Sequence, residues 1–462
     1  MVDRKPEVPL FLRRAGTDEF IPPPLDEGQR RAARSVGERG PLDAARVGRS
    51  LGDYWSSRLG TAAGLLAINA EAGCDYYEVP SLAATDQAAA DAAFGGGEIV
   101  VDVHTHYMAD REWLHTVADW QKEMYKVIGP EWWDGFEGMG FYSLEDYLRC
   151  VFLESETAVA VLTSPPADET GVPFLTGEEL FGTRRLIDRF AGTGRVLNQI
   201  SVQPTEPGVF DMLERWRDDY DPVAWKVYTM GRMAKVGGDG YWEPGTQWML
   251  DDEATGLPFL EQSQALGVRR VCAHKGMSGL VDSGSPRDIG AVARMFPDMA
   301  FAAYHSAIEV ELVEGPYTEA TAAEGSNRLV TAMLENGLPP GSNVFADLGT
   351  TWFALIKRPQ EAAHLLGKLL LHVGEDNIMW GTDGTWYGPT QPAIDAFRSF
   401  QIPDDLCARY GYPKLTPEIR SKILGRNAGR FYELDLDATW RAAQSDDLAW
   451  TRAALLASGA IP

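Results

Sequence analysis

Short apolar runs rich in β-branched residues alternate with amphipathic stretches over most of the chain. Such runs predict buried strands, and eight of them occur, at residues 98–103, 158–164, 196–202, 223–229, 268–274, 299–305, 343–349 and 377–383. The stretches between them have helical spacing, as in residues 177–194 and 358–374. Eight strands that each leave room for a following helix are typical of a closed α/β fold, the (β/α)8 TIM barrel. A doubly wound open sheet is the competing architecture, but no glycine-rich dinucleotide loop follows the first strand to support it.

The rest of the chain flanks or interrupts this barrel, which we predict to span residues 98–435. Residues 1–97 form an N-terminal extension, in which the proline- and glycine-containing residues 1–40 predict an extended arm and the later segments predict helices. Residues 436–462 predict a helical tail. Residues 108–150 form a long, tryptophan-rich insertion after the first strand. The insertion is either a subdomain that covers one end of the barrel or a lid for an apolar substrate, because active-site loops follow the strands in this fold.

Charge and cysteine content narrow the classes of partner. The chain has 462 residues, with 42 Lys plus Arg against 67 Asp plus Glu, and its formal charge of −25 argues against a nucleic-acid partner. The four cysteines lack CxxC spacing and indicate neither a disulfide framework nor a cysteine metal cluster. The N-terminal residues contain no apolar stretch of signal-peptide length, and the most apolar early run is too short to span a bilayer. We therefore expect a cytoplasmic protein that acts on a small molecule without a membrane, and the sequence leaves a homo-oligomer open.

The first predicted strand ends in VVDVHTHY, where two histidines stand one residue apart. Side chains alternate between faces along a strand, so His104 and His106 project the same way and are either a cation clamp or ordinary strand-end residues. Further strand ends favour a metal, because the fifth strand ends in His274, the sixth in His305 and the eighth in Asp383. The carboxyl ends of barrel strands surround one mouth, where these five residues are predicted to converge. Imidazoles with a carboxylate suit Zn²⁺, Fe²⁺, Mn²⁺ or Ni²⁺.

Other polar residues carry weaker signals. Lys226 lies in the fourth strand. The sequence leaves three roles open for it: a metal ligand, a cation that binds a substrate carboxylate, or the ion-pair partner of an acid. Asp347 ends the seventh strand and either touches substrate or belongs to a turn, whereas Lys275 points away from the metal-facing side and is predicted to be structural. Three histidines in helical or loop stretches are also predicted to be structural: His115, His364 and His372.

The order of HxH on strand one, histidine on strands five and six and aspartate on strand eight resembles the amidohydrolase superfamily. The segments CAHKGMSG, AAYHSA, MWGTDGTWYG and KILGRNAGRFYELD resemble, more closely, the amidohydrolase-related group that contains aminocarboxymuconate-semialdehyde decarboxylase-like enzymes. This resemblance covers residues 98 to about 435 and does not extend to residues 1–97. It implies one or two divalent metal ions, zinc or iron, with manganese as a further option. In dinuclear members, a lysine in about the position of Lys226 becomes carboxylated and bridges the two metals.

The same resemblance implies roles for the strand-end residues. His104 and His106 would bind the buried metal, with Asp383 as a third or bridging ligand. His274 would complete a mononuclear site or serve a second metal, and His305 would be a second-metal ligand or a general acid/base. Independently of any family, a divalent cation lowers the pKa of bound water toward neutrality, and Asp383 beside it is the candidate to accept the proton.

Several reactions are compatible with these residues. Metal-dependent hydrolysis of an amide, ester or lactone in a bulky, partly apolar small molecule leads, by analogy with most members of the superfamily. The second hypothesis is a nonheme diiron monooxygenase that hydroxylates a terpenoid-like or CoA-linked substrate, like an offshoot of the group, with the aromatic insertion excluding water. Non-oxidative decarboxylation of an aromatic or enoic acid is third. A non-catalytic metal-binding scaffold is disfavoured because the ligand set is complete.

Overall fold

A barrel of parallel strands forms the centre of the computed structural model, which describes residues 8–13, 23–109, 142–167, 171–233, 242–276 and 281–461. Within these ranges, eight strands form one sheet in chain order. They are Val100–Thr105 (β1), Thr157–Leu162 (β2), Val196–Val202 (β3), Ala224–Tyr228 (β4), Arg270–His274 (β5), Ala300–Tyr304 (β6), Val344–Asp347 (β7) and Ile378–Met379 (β8). The register of three neighbouring strands places Tyr228, His274 and Tyr304 side by side. Each predicted run overlaps one strand, and the TIM-barrel prediction is confirmed.

Closure of the barrel depends on the segment that follows the two-residue strand β8. The backbone N–H of Asp383 donates to the carbonyl of His104 at 2.8 Å, and that of His106 donates to Gly384 at 2.5 Å. Thr105 forms an isolated parallel bridge with Gly384. These bonds hold Asp383 directly beside the two histidines of β1.

Helices surround the sheet and fill the N-terminal extension. Those before β4 are Glu27–Arg46 (α1), Leu51–Trp55 (α2), Arg58–Ala72 (α3), Gln87–Phe94 (α4), Leu144–Leu148 (α5), Gly177–Ala191 (α6) and Val209–Tyr220 (α7). Those between β4 and β8 are Gly256–Ala265 (α8), Arg287–Met295 (α9), Asn327–Glu335 (α10), Thr351–Leu355 (α11) and Pro359–His372 (α12). Those after β8 are Gln391–Ser399 (α13), Asp404–Tyr410 (α14), Pro417–Ser421 (α15), Asn427–Tyr432 (α16), Leu436–Ala443 (α17) and Asp447–Ser458 (α18). π-Helical turns follow α5 and α15, at Arg149–Leu153 and Lys422–Arg426.

Local sequence signals explain where such helices begin and end, as in α6. Thr176 and Glu179 form a capping box, which satisfies backbone donors of the first turn. The helix ends at Gly192, whose φ of 78° suits glycine. Its buried face consists of Leu180, Thr183, Ile187 and Ala191. This spacing turns one stripe of the helix toward the sheet.

The N-terminal extension packs as helices, so the extended arm predicted for residues 1–40 is wrong from residue 27 onward. Glycine and proline inside α1 resembled breaks, but Gly40 is a packing residue, since a Cβ there would lie 2.0 Å from the ring of Trp55. The extension shares one hydrophobic core with the barrel, to which it contributes Phe11, Tyr54, Trp55, Leu59 and Leu65, beside Trp352, Phe397 and Phe400. The extension is therefore part of the packed structure.

Arg58 on α3 ties the extension to the barrel. Its Nη2 lies 2.6 Å from Glu156 Oε1, and its Nε lies 3.4 Å from Oδ2 of the fully buried Asp395. Arg398 binds the second oxygen of Glu156 at 2.5 Å. Burial raises the pKa of Asp395 to about 6, although the charge of Arg58 lowers this pKa by stabilising the ionised carboxylate. A partly buried charge network therefore joins the two parts of the chain.

Most of the predicted insertion, residues 110–141, lies outside the described residues, so the lid hypothesis stays a prediction. Among the helices of the described ranges, none has the length and apolar character needed to cross a membrane.

Candidate metal centre

Side chains from β1, the end of β6 and the end of β8 meet inside the barrel mouth. The Nε2 atoms of His104 and His106 lie 3.4 Å and 3.1 Å from Oδ1 of Asp383. Candidate ligand atoms of His104, His305 and Asp383 all lie within 4.8 Å of one another. Each of these four residues is at most 3% exposed. They form a buried cluster of metal-ligand type.

Two further predicted residues adjoin this cluster. His274 Nδ1 lies 3.1 Å from His305 Nε2, and Lys226 Nζ lies 3.4 Å from His104 Nε2. The ammonium also lies 3.8 Å from the ring centroid of Tyr304, which packs on His104. The structure thus brings together all six residues that the sequence singled out, namely His104, His106, Lys226, His274, His305 and Asp383. Their individual roles stay predictions.

Hydrogen bonds at the outer ring nitrogens orient two of the histidines. His106 Nδ1 lies 2.8 Å from the carbonyl oxygen of Thr163, and His305 Nδ1 lies 2.9 Å from that of Gly349. A carbonyl only accepts, so each Nδ1 donates and each Nε2 carries a lone pair. The Nε2 atom of His106 faces Asp383, whereas that of His305 faces Nδ1 of His274 at 3.1 Å.

A carboxylate orients His104 in the same way. Asp347 Oδ2 lies 3.0 Å from His104 Nδ1, while the ammonium of Lys226, which only donates, faces Nε2. Oδ1 of Asp347 accepts the backbone N–H of His305 at 2.5 Å. Burial raises the pKa of Asp347, and the nearby charge of Lys226 opposes this rise. Asp347 therefore links His104 on β1 to the backbone of His305, which directly follows β6.

The donor set fits a divalent transition metal ion. His106 Nε2 and Asp383 Oδ1 are both acceptors, yet they lie 3.1 Å apart, where only a cation or proton between them removes the repulsion. Burial holds the pKa values of His104, His274 and His305 well below the ordinary histidine value. Neutral imidazoles and a carboxylate are the forms that bind such metals. His104, His106 and Asp383 would hold the ion, with His305 adjacent.

Hydrogen bonds hold Asp383 at both carboxylate oxygens. Oδ2 accepts from the hydroxyl of Thr350 at 2.5 Å, and Oδ1 accepts from Nε1 of Trp386 at 3.3 Å. Tyr387 Oη lies 2.7 Å from the Thr350 hydroxyl. Burial alone would raise the pKa of Asp383, but a proton held between Asp383 and His106 Nε2, together with the Thr350 hydrogen bond, helps to outweigh burial and hold that pKa well below its usual range. Asp383 is therefore held in its ionised form, the form that can bind a cation.

Three residues of the site have a left-handed backbone without being glycine. The φ angles are 59° at His305, 55° at Thr350 and 59° at Asp383. Such conformations cost on the order of 1–3 kcal/mol each and cluster at functional sites. The Thr351 hydroxyl, which donates to the His305 carbonyl at 2.6 Å, is one contact that maintains them. These backbone conformations direct the side chains of the three residues into the barrel mouth.

Most of the residues that orient the side chains of the candidate site carry no clear signal in the sequence. The sequence predicts that Asp347 touches substrate or belongs to a turn, and it does not predict the contact of Asp347 with His104. Thr350 carries no signal in the sequence, and the position of Tyr387 near Asp383 indicates either a residue that lines the pocket or one that packs the barrel. The carbonyls of Thr163 and Gly349 cannot be predicted from sequence, because every residue has one.

The residues expected to be structural lie in ordinary contacts. Lys275 Nζ lies 2.7 Å from Asp288 Oδ2, which confirms its structural role. His364 and His372 lie on α12, where His364 Nδ1 is 3.2 Å from the hydroxyl of Tyr412. His115 lies outside the described residues.

Comparison with solved structures returns similar chains at low sequence identity. An uncharacterized TIM-barrel protein of Bordetella bronchiseptica is 14% identical, with a TM-score of 0.46, covering 72% of this chain and 98% of that one. An amidohydrolase of Burkholderia multivorans with bound zinc is 17% identical, with a TM-score of 0.43, covering 73% and 99%. A 2,6-dihydroxybenzoate decarboxylase from Rhizobium is 15% identical, with a TM-score of 0.41, covering 73% and 99%. The search of curated proteins finds no match.

The barrel and its strand-end histidines and aspartate define a class, the metal-dependent TIM-barrel enzymes. The amidohydrolase family model matches residues 101–434, more than half of the chain. The chain belongs to the amidohydrolase family, and the resemblance found in its motifs is confirmed. The protein is accordingly a metal-dependent enzyme of the amidohydrolase superfamily.

Proposed function

We propose that the protein is a hydrolase that adds water to an amide, ester or lactone carbonyl of a small molecule. The observation that carries the proposal is the convergence of His104 Nε2, His106 Nε2 and Asp383 Oδ1 in one buried mouth. A divalent ion held there would act as a Lewis acid and activate water at neutral pH. Zinc is the metal we expect first, with iron or manganese as alternatives.

The side chains of the site are placed to accept and return protons, and their burial excludes water. Asp383 lies beside the inward imidazole nitrogens and is placed to accept a proton from attacking water and return it to the leaving group. His305, whose ring is fixed by the Gly349 carbonyl, is the second group placed to hold a proton. Because these side chains are almost fully buried, their electrostatic effects are stronger than in bulk water.

Non-oxidative decarboxylation is the second candidate, and Lys226 is the observation that favours it. Its ammonium is fully buried on β4, 3.4 Å from His104 Nε2 and 4.9 Å from the ring centroid of Tyr228. A cation in this position would attract the carboxylate of an acidic substrate toward the metal ligands. A carboxylated, metal-bridging Lys226 would instead require two metal ions.

Metal analysis and reaction screening test these alternatives together. Metal content is measured on protein purified without added metal, and the metal-loaded protein is screened for ester, lactone and amide hydrolysis, CO₂ release and O₂ uptake. We expect about one divalent ion per chain and hydrolysis without O₂ uptake. CO₂ release without hydrolysis would favour the decarboxylase. About two irons per chain with substrate-dependent O₂ consumption would overturn the hydrolase in favour of a diiron monooxygenase.

Two histidine variants test the position of the metal centre. His106→Ala is expected to lose most of its bound metal, because it removes one inward Nε2 atom. His364→Ala is the matched control, since this histidine contacts Tyr412 on the outer helix α12. Equal metal content in the two variants would contradict the assignment.

A further inference from the structure

The two carboxylate oxygens of Asp383 have different neighbours. Oδ1 faces the Nε2 atoms of His104 and His106 and accepts a long hydrogen bond of 3.3 Å from Trp386, whereas Oδ2 accepts a short one of 2.5 Å from the Thr350 hydroxyl. A carboxylate can bind a metal ion through one oxygen or through both. A hydrogen bond as short as this one favours binding through Oδ1 alone.

Tyr387 supports Thr350 from behind. The Thr350 hydroxyl has one proton, which it uses in the hydrogen bond to Asp383. The hydroxyl of Tyr387, 2.7 Å away, is therefore the donor in its hydrogen bond to Thr350. The Tyr387 ring is itself fixed by stacking on Phe353, with centroids 3.9 Å apart and ring planes 14° apart. Tyr387, Thr350 and Asp383 thus form a directed chain of hydrogen bonds that ends on Oδ2.

We infer that Thr350 and Tyr387 are positioning residues that keep Asp383 a one-oxygen ligand and thereby set the affinity and geometry of the metal centre. The inference rests on the metal centre of the proposed function, but it is independent of the reaction performed there. Hydrogen bonds to ligating groups typically change metal affinity by about 10- to 100-fold. The left-handed backbone of Thr350, with φ at 55°, is the cost of directing its hydroxyl to Asp383.

Cobalt(II) substitution gives a readout that needs no substrate. Thr350→Val keeps the β-branched shape and removes the hydroxyl, Thr350→Ser keeps the hydroxyl, and Tyr387→Phe removes the outer donor. Thr183→Val is the matched control, because Thr183 forms a buried 2.7 Å hydroxyl pair with Tyr107 that does not involve Asp383. Each purified protein is titrated with Co²⁺ in competition with a chelator, and its visible d–d spectrum is recorded.

We expect Thr350→Val to bind Co²⁺ about 10- to 100-fold more weakly than the wild type. Its d–d bands should be weaker, because the released Oδ2 can bind the ion and raise its coordination number. Thr350→Ser should restore both the affinity and the spectrum, Tyr387→Phe should shift both in the direction of Thr350→Val by a smaller amount, and Thr183→Val should match the wild type.

Wild-type affinity and spectrum in Thr350→Val would overturn the inference. If that variant does not fold, Tyr387→Phe decides, and wild-type values in it would overturn the inference equally. Wild-type protein that binds Co²⁺ but hydrolyses nothing would contradict the proposed function alone, since the variants would still be compared through Co²⁺ binding.

Discussion

The Nδ1 atom of His104, on β1, lies 3.0 Å from Oδ2 of Asp347, the last residue of β7. Two glycines enclose this pair. A Cβ on Gly349 would lie 2.5 Å from His104 Nδ1, and a Cβ on Gly381 would lie 2.6 Å from Asp347 Oδ2. The orientation of His104, a predicted metal ligand, is therefore fixed by the Asp347 carboxylate. It also depends on the absence of a side chain at Gly349 and Gly381.

Replacing the carboxylate tests its role. We expect Asp347→Asn to lower zinc affinity by about 10- to 100-fold, because a neutral amide orients His104 less firmly than a carboxylate does. Affinity is measured by competition with a chromogenic chelator. Asp446→Asn is the control, since Asp446 is a buried carboxylate that binds Arg195 outside the site. Equal affinity losses in the two variants would mean that general destabilisation is the cause.

A single methyl group at Gly349 should have a related effect. Gly349→Ala places a Cβ against His104 Nδ1 and within 2.9 Å of Asp347 Oδ2, so the pair must separate. We expect at least about a tenfold loss of metal affinity with an unchanged circular dichroism spectrum. Gly182→Ala on α6 is the matched control, because nothing lies within 4 Å of its added Cβ, and it should stabilise the protein by about 0.5–1 kcal/mol. Wild-type metal binding in Gly349→Ala would contradict the tight packing of this pair.

Removing the arginine that links the extension to the barrel should destabilise the protein. Arg58→Met leaves Glu156 and the buried Asp395 without this cation, and we expect the free energy of unfolding in urea to fall by about 3 kcal/mol. Arg31→Met, which breaks a surface pair with Glu71, should leave the unfolding midpoint nearly unchanged. If both variants unfold at the wild-type midpoint, the partly buried network does not hold the two parts together.

Asp395 should also give the protein a pH-dependent stability. Its pKa is raised by burial to about 6 in the folded state from an ordinary value of 3.8, so the folded protein favours the protonated form. The contribution of Asp395 is therefore fully present below about pH 4 and is lost as the pH rises through 6. Relative to Asp395→Asn, the wild-type free energy of unfolding should fall by up to about 3 kcal/mol between pH 4 and pH 7.5. Urea unfolding of both proteins across this range measures the difference, and parallel pH curves would contradict the raised pKa.

The sequence was sufficient to predict the barrel and the six residues of the candidate site. Strand patterns are local, and parallel strands bring their carboxyl ends to one mouth, so residues such as His104 and His274 could be placed together without coordinates. The pairing of His104 with Asp347 joins residues 243 positions apart and depends on side-chain torsions, which no local pattern records.

Backbone conformation set the other limit on prediction. The run predicted for β8 covers residues 377–383, but only Ile378–Met379 form the strand. Asp383 has a left-handed backbone, a choice that the sequence does not reveal for a residue other than glycine. The same limit applies to Gly40, where a glycine that resembles a helix breaker makes room for Trp55.

The helices before β1 share their apolar interior with the outer helices of the barrel, and Phe11 borders the same small cavity as Tyr387. A polypeptide shortened to the stretch that matches the family would retain every candidate ligand but expose the surfaces that Tyr54 and Trp55 now cover. Such a truncation should aggregate rather than catalyse. Any attempt to move this candidate site into another protein must therefore carry the preceding helices with it.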